Sequence, residues 1–295
     1  MHKLICIVGP TASGKSDLGI LLAKRYNGEI VSADSRQIYK GLDIGSGKIT
    51  KKEMRGIPHH LFDVTSPKRR FTASQYQKLA VRAIDGIARR GKLPILVGGT
   101  PFYLYAVIDG YVFPEVKPNP KLRKQLQTKS FDELFSELRR KDPARAQTIE
   151  KNKRRVIRAL EIISQTGKPI PSLGKRPLPY DLCIIGIKRS PGELSEHIAL
   201  RLAKRFKQGM IAEVKQLHEH QGLSWKRFEE LGLEYRFIAN FLQKKVSRQK
   251  MVEELQKAIE DFAKRQMTWF KKDPRIQWVS TPKEASDIAQ TFLFN

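Results

Sequence analysis

The chain has 295 residues, 40% of them hydrophobic, enough for one large α/β domain with a smaller inserted or appended one. Its 56 Lys and Arg against 30 Asp and Glu leave a formal net charge of +26, a field that favours a polyanionic partner and that a small-metabolite enzyme does not need; the plainer alternative is a solvated basic surface. No apolar run approaches the ~18 residues of a membrane span, a Gly-rich loop at residue 9 leaves no room for a signal peptide, and Cys6 and Cys183 lie in strand-like runs with no C-x-x-C pair, so a cytoplasmic protein without membrane partner or zinc is expected.

Leu4-Ile5-Cys6-Ile7-Val8 is short, apolar and largely β-branched, and predicts a buried strand. Gly9-Pro10-Thr11-Ala12-Ser13-Gly14-Lys15-Ser16 follows and fits G-x-x-x-x-G-K-[ST]. Asp17 to Ala23 then predicts a helix with Leu18, Leu21 and Leu22 on its buried face, ended by Asn27-Gly28. A strand, a Gly-rich turn and a helix are the context the motif needs. Gly9 and Gly14 let backbone N–H groups converge on one point. The helix start adds its positive dipole end, Lys15 a full charge, and Ser16 a hydroxyl for Mg²⁺. The expected product is a cradle for a di- or triphosphate rather than a chance Gly-rich turn.

Glu29 to Asp34 predicts a second strand ending on Asp34. Ligands of open α/β sheets sit at carboxyl ends of strands, which places this carboxylate near the phosphate loop, where it can take a proton or orient the ligands of a metal. Its plainer reading is a helix N-cap. His59-His60 lies on an extended segment, where adjacent side chains point apart, so a metal chelate is not expected and structural or substrate-loop roles are. Thr72 and Gln75 form a capping box for a helix burying Tyr76, Leu79, Ala80, Ala83, Ile84, Ile87 and Ala88. Leu93 to Val97 is the next strand, and it runs into Gly98-Gly99-Thr100. Nucleotide hydrolases end that strand on Asp, and no N-K-x-D motif appears either; the cradle is present without ATPase or GTPase parts.

From Phe113 to Tyr180 the character changes. Prolines 114, 118 and 120 open the stretch and prolines 169, 171, 177 and 179 close it around helical patterns, so residues 114–180 are expected to be a small all-helical insertion between core segments 1–113 and 181–295. It is densely basic: Lys151, Lys153, Arg154, Arg155 and Arg158 cluster, with Arg154 and Arg158 one turn apart, and nucleic-acid phosphate contact is expected there. Leu182 to Ile187 returns to the sheet. On the helix from Pro191, Arg201 and Arg205 are spaced i, i+4, as a pyrophosphate clamp requires; the plainer reading is a pair of surface arginines. A last long helix, 251–271, ends in Ala263-Lys264-Arg265-Gln266-Met267-Thr268-Trp269-Phe270, where cations and aromatics alternate; Trp269 and Phe270 either stack on bases or belong to the core. Ile276 to Val279 is an edge strand.

Taken together, these motifs resemble the tRNA dimethylallyltransferase (IPP transferase) family. The matching pieces run in family order over nearly the whole chain: Gly9 to Ser16, Asp34 to Tyr39, Gly41 to Gly45, Pro58 to Asp63, Gly98-Gly99-Thr100 with Tyr103, Arg158-Ala159-Leu160-Glu161, and Ala263 to Gln266 with Thr268-Trp269. One stretch differs: Gly232-Leu233-Glu234-Tyr235-Arg236 stands where the family usually has Gly-Tyr-Arg or Gly-Tyr-Lys. The resemblance implies an α/β, P-loop NTPase-like core with a parallel sheet flanked by helices, and a helical insertion that grips the anticodon stem of tRNA. It implies dimethylallyl diphosphate as donor, Mg²⁺ as cofactor, and a monomer that alkylates N6 of the adenine 3′-adjacent to the anticodon in tRNAs reading codons that begin with U.

Roles follow from the same resemblance. Asp34 would be the general base, with Thr11 beside the oxygen that bridges carbon and phosphorus. Lys15 and Ser16 would hold diphosphate and metal; it is the i, i+4 spacing, not the resemblance, that adds Arg201 and Arg205 to the diphosphate site. Asp34, Ser35, Arg36, Gln37, Thr100, Arg123, Arg154, Arg155, Arg158, Tyr235, Arg236, Lys264, Arg265, Gln266, Thr268 and Trp269 would meet tRNA. An adenylate-specific prenyltransferase, a small-molecule kinase and a non-catalytic RNA-binding protein are the rival readings; the basic insertion argues against the first.

Overall fold

The computed structural model describes residues 2–149, 151–170, 174–176 and 179–295. The chain starts with β1 (His2–Val8), α1 (Lys15–Arg25), β2 (Gly28–Ala33), β3 (His59–His60), α2 (Ala73–Arg89), β4 (Leu93–Gly98) and α3 (Pro101–Ile108). A second run holds β5 (Tyr111–Val112), α4 (Pro120–Thr128), α5 (Phe131–Lys141), α6 (Pro143–Thr148), α7 (Lys153–Thr166) and β6 (Gly174–Lys175). The third is β7 (Tyr180–Ile187), α8 (Pro191–Lys207), α9 (Met210–Glu219), α10 (Trp225–Leu231), α11 (Leu233–Leu242), α12 (Arg248–Phe270), β8 (Ile276–Val279) and α13 (Pro282–Phe294).

Six strands form one parallel sheet in the order β3-β2-β4-β1-β7-β8. β1 is central because its run from Leu4 to Val8 is apolar on both faces and can be covered by helices on each. The chain leaves β1 by crossing over β4 to β2, while β7 lies on the other side of β1. The carboxyl end of β1 is therefore a topological switch point, where a crevice opens. Ile5, Ile7, Leu18, Leu22, Ile95 and Ile185 form one of the cores around it. Cys6 and Cys183 sit one register step apart on neighbouring strands, Ile5 opposite Cys183, so their side chains point to opposite faces of the sheet.

α1 packs differently from its leucine pattern. Leu21 is 40% exposed, and Gly19 lies against the sheet instead; a Cβ there would stand 2.9 Å from Val97 Cγ2. The missing side chain brings the helix closer and turns its buried face onto Leu18, Gly19, Leu22 and Ala23. Gly28 does not end the helix but begins β2, where a Cβ would meet the Leu93 carbonyl at 2.8 Å. The His59-His60 pair is structural in its contacts: His60 Nε2 lies 2.7 Å from the buried Glu29 carboxylate, and His59 stacks on Phe62. Burial pushes the Glu29 pKa up, but hydrogen bonds from His60, Lys92 and Arg90 outweigh it and hold the carboxyl below its ordinary value.

The chain divides into two compact units, residues 1–109 with 177–295, and residues 110–176. The second unit has its own core of Leu126, Leu134, Leu138, Val156 and Leu160. It also contains a short antiparallel ribbon, Tyr111 and Val112 against Lys175 and Gly174, which the proline-rich ends concealed. No described helix is long and apolar enough to cross a membrane.

Candidate functional site

The loop from Gly9 to Ser16 leaves β1 and turns sharply into α1. Gly9 (φ 150°) and Gly14 (φ 95°) take conformations that favour glycine. At Gly14 there is free space around the missing Cβ, so backbone conformation alone calls for glycine there. Ala12 also sits at positive φ, 61°, a strained state for a residue with a side chain. The N–H groups of Gly14, Lys15 and Ser16 open α1 and donate to no carbonyl among the described residues. Ser13 Oγ is buried without a hydrogen-bond partner, and the hydroxyls of Thr11 and Ser16 have none among the described residues. These groups surround a point that wants an acceptor.

The charge at that point is positive. Lys15 Nζ folds back onto the Pro10 carbonyl. Burial, then the Arg201 guanidinium, pushes its pKa down to about 7, while Asp34 acts the other way. Arg201 is accessible to solvent and has no ion-pair partner among the described residues. The protein crowded around it, then Arg205, holds its pKa below the ordinary guanidinium value. A lysine whose charge is disfavoured by burial and by a neighbouring guanidinium is suited to an anion. Arg205 does something else. It pairs with Glu234 at 3.0 Å and lies against Gly47, where a Cβ would overlap its guanidinium. Of the expected clamp, Arg201 acts on the cradle and Arg205 anchors the loop at residues 45–47.

Asp34 follows the last residue of β2. Its Oδ1 accepts N–H bonds from Arg36 (2.7 Å) and Gln37 (3.2 Å), which fixes the turn of residues 35–38. Its Oδ2 has no partner among the described residues. One oxygen thus does the capping work and the other is uncommitted among the described residues. Ser35 N–H donates to Thr100 Oγ1 at 3.1 Å, and Thr100 N–H donates to the Ala33 carbonyl at 3.2 Å. Below this loop the Tyr76 and Tyr103 rings stack with centroids 4.1 Å apart. Gln37 is committed to its neighbourhood, donating to the Gly47 carbonyl at 3.2 Å. Arg36 is half-buried; burial pushes the Glu234 pKa up, with Arg205 and then Arg36 acting against it.

Gly98 and Gly99 are glycines because of crowding. A Cβ on Gly98 would stand 2.3 Å from the Ala33 carbonyl oxygen, and one on Gly99 would stand 2.5 Å from Gln266 Nε2. Gln266 is 3% exposed. Its Oε1 accepts from Thr11 N–H at 2.8 Å, and its Nε2 donates to the Gly99 carbonyl at 2.5 Å. Both ends of the amide are taken by backbone, so Gln266 is an internal brace and not a surface contact. The signal for this lay in the helix period: Ile259, Ala263, Gln266 and Phe270 share the buried stripe of α12. Lys264, Arg265, Thr268 and Trp269 are on its exposed side, with Trp269 44% exposed and tilted against Tyr105.

Tyr235 is not on the surface either. It is 1% exposed and donates to Glu213 Oε1 at 3.1 Å. The same carboxylate accepts the N–H groups of Asp43, Ile44 and Gly45, a loop anchor for which the sequence carried no signal. The two additional residues at 232–236 are absorbed by a reversal between α10 and α11, with Gly232 at φ 73° and Leu233 at φ 38°. They bring Glu234 to Arg205. Arg236 lies over the Phe237 ring at 5.0 Å.

Within the insertion, Glu161 is fully buried and accepts from Asn119 N–H at 2.5 Å, from Arg123 at 2.8 Å and from Arg158. Arg158 also donates to the Val116 carbonyl at 2.8 Å. Burial pushes the Glu161 pKa up, but Arg123, Arg158 and the Asn119 amide outweigh it and hold the carboxyl below its ordinary value. Two guanidiniums and one carboxylate leave this cluster with one net positive charge. Arg154 and Arg155 are exposed on the first turn of α7.

The "IPP transferase" family model matches residues 37–273. The chain is 42% identical to the tRNA dimethylallyltransferase of Carboxydothermus hydrogenoformans over 96% of this chain and 94% of that one. It is 45% identical to tRNA dimethylallyltransferase 2 of Citrifermentans bemidjiense, over 92% and 87%. Among solved structures, it is similar to the full-length tRNA isopentenylpyrophosphate transferase of Bacillus halodurans, with TM-score 0.73 and 35% identity over 100% of this chain and 95% of that one. A eukaryotic dimethylallyltransferase acting on tRNA matches with TM-score 0.81 and 26% identity, over 99% of this chain and 77% of that one. The parallel, helix-flanked core is therefore of P-loop NTPase type, and the chain belongs to the IPP transferase family.

Proposed function

We propose that this protein transfers the dimethylallyl group of dimethylallyl diphosphate to tRNA, on N6 of the adenine that follows the anticodon. The observation that carries the reading is the pairing of an anion cradle with a carboxylate: the Gly9–Ser16 loop leaves the carboxyl end of β1 and Asp34 follows the carboxyl end of β2, with β4 between these two strands of the parallel sheet. The strand that ends in Asp in nucleotide hydrolases ends here in Gly98-Gly99, so the cradle is suited to hold a leaving group rather than to have its phosphoanhydride cleaved by water.

The exocyclic amine of adenine is a weak nucleophile, because its lone pair is delocalised into the ring. In the proposed step this nitrogen forms a bond to C1 of the donor. The C1–O bond breaks, its electron pair leaves with diphosphate, and the N–H proton passes to Asp34 Oδ2. The amides of residues 14–16, Lys15 and Arg201 stabilise negative charge where it accumulates. Thr11 reaches towards the bridging oxygen. Unstacking the target base costs a few kcal/mol and is cheapest in a loop.

Mg²⁺ fits this site as a partner of the bound diphosphate. The described residues contain no group of three His, Cys, Asp or Glu able to hold a metal by themselves, and the Ser16 hydroxyl is exposed at the start of α1. Ser16 and the diphosphate oxygens would hold the ion, which supplies charge neutralisation when bound.

For tRNA we propose Arg154, Arg155, Lys264, Arg265, Thr268 and Trp269 as contacts, together with Ser35, Arg36 and Thr100 at the base-reading loop. Arg123 and Arg158 offer the phosphate backbone the charge left over at Glu161. The proposed setting is the cytoplasm, and the proposed active form a monomer. Incubation with unmodified tRNA and dimethylallyl diphosphate, followed by mass analysis of nucleosides, is expected to show one adenosine gaining C5H8. Unmodified nucleosides alongside tight tRNA binding would reduce the protein to an RNA-binding module.

A further inference from the structure

We infer that Gln266 is a positioning residue that sets the spacing between the diphosphate cradle and the Asp34 carboxylate; this rests on the function proposed above. The hydrogen bonds form a continuous bracket. Thr11 N–H, in the cradle, donates to Gln266 Oε1, and Gln266 Nε2 donates to the Gly99 carbonyl. The next residue, Thr100, accepts from Ser35 N–H and donates its own N–H to Ala33. Asp34 lies between those two residues. No other side chain bonds both the cradle and the Gly98-Gly99 turn among the described hydrogen bonds.

The geometry leaves little slack. Gln266 is buried, and the space a Gly99 side chain would fill is occupied by its amide nitrogen. A buried amide with both ends satisfied by backbone has one orientation, because a flip would put carbonyl against carbonyl and N–H against N–H. Gln266 also fixes where Thr11 points, since the Thr11 N–H is turned to the amide. The bracket joins the group that holds the departing oxygen to the group that takes the proton. Its length is therefore a catalytic variable, although the Gln266 side chain touches neither substrate.

Three variants separate this role from plain packing. Gln266→Met keeps the volume and loses both hydrogen bonds. It is expected to lower the single-turnover transfer rate roughly tenfold or more, with tRNA affinity unchanged. Gln266→Asn keeps both groups on a shorter stem and is expected to be impaired as well. Gln266→Glu accepts from Thr11, but it can donate to Gly99 only when protonated. Its rate relative to wild type is therefore expected to rise as pH falls, and dividing by wild type removes the titration of Asp34. A pH-independent ratio, or wild-type turnover in Gln266→Met, would overturn the inference. Thermal melts of each variant identify any that fail to fold, and the Gln266→Glu profile is internal to one folded protein. Transfer by wild type with unaltered variants would remove the bracket alone, whereas no transfer by wild type would remove the proposed function.

Discussion

Asp34→Asn is expected to reduce the rate of dimethylallyl transfer by about 10²–10⁴, the usual worth of a positioned general base, while leaving tRNA and diphosphate affinities near wild type. Asparagine is the informative substitution. Its carbonyl oxygen can still accept the Arg36 and Gln37 N–H groups that now bond Oδ1, so the turn of residues 35–38 keeps its shape. What changes is Oδ2, the oxygen with no partner among the described residues, which becomes an amide unable to take a proton. Alanine would remove both functions and confuse loop collapse with lost chemistry. Single-turnover measurements with both substrates saturating read the chemical step directly. A rate within a few-fold of wild type would remove Asp34 from the role of base.

Lys15→Met is expected to lower kcat/KM for dimethylallyl diphosphate by about 10²–10³, the scale seen when one preorganised stabiliser of developing negative charge is removed. The pKa of Lys15 adds a second signature. With that pKa pushed down to about 7 by burial and then by Arg201, the free enzyme carries a partly neutral lysine above neutral pH. A bound diphosphate favours the charged form and raises the pKa, so binding takes up a proton. Uptake is expected to be greatest at pH about 8, where the free lysine is mostly neutral, and to fade towards pH about 6, where it is already charged. Titration calorimetry of inorganic diphosphate in buffers of different ionisation enthalpy measures it. The same titration of Lys15→Met removes the contribution of the diphosphate itself. Equal proton uptake by the two proteins would contradict the assignment.

The legible parts of this protein were those whose physics is local. The Gly9–Ser16 cradle could be read because spacing, a buried strand and a helix start all sit within one short stretch. The doublet Gly98-Gly99 could be read as a strand end without the hydrolase carboxylate, but what crowds it, Ala33 and Gln266, is distant in sequence. What stayed hidden depended on partners distant in sequence. The i, i+4 spacing of Arg201 and Arg205 placed both on one helix face, but the pairing of Arg205 with Glu234 is a tertiary event. Gln266 looked like part of a basic, aromatic surface because its neighbours Lys264, Arg265 and Trp269 are one. Its position on the stripe of Ile259, Ala263 and Phe270 was the contrary signal. Arg158 read as part of a basic cluster and Arg123 as a tRNA contact, yet a fully buried Glu161 pairs with both. In each case the residue type was visible and its neighbour was not.

A cradle that holds a departing group implies that the donor breaks between carbon and oxygen, never between phosphorus and oxygen. Dimethylallyl diphosphate carrying a heavy oxygen isotope in its carbon–oxygen–phosphorus bridge can be turned over with unmodified tRNA and the products weighed. The expected result is that every heavy atom leaves in diphosphate while adenosine gains C5H8. Heavy oxygen retained on the five-carbon fragment would mean that the loop grips a phosphoryl group in transfer, and the role assigned here to Asp34 and the cradle would be wrong.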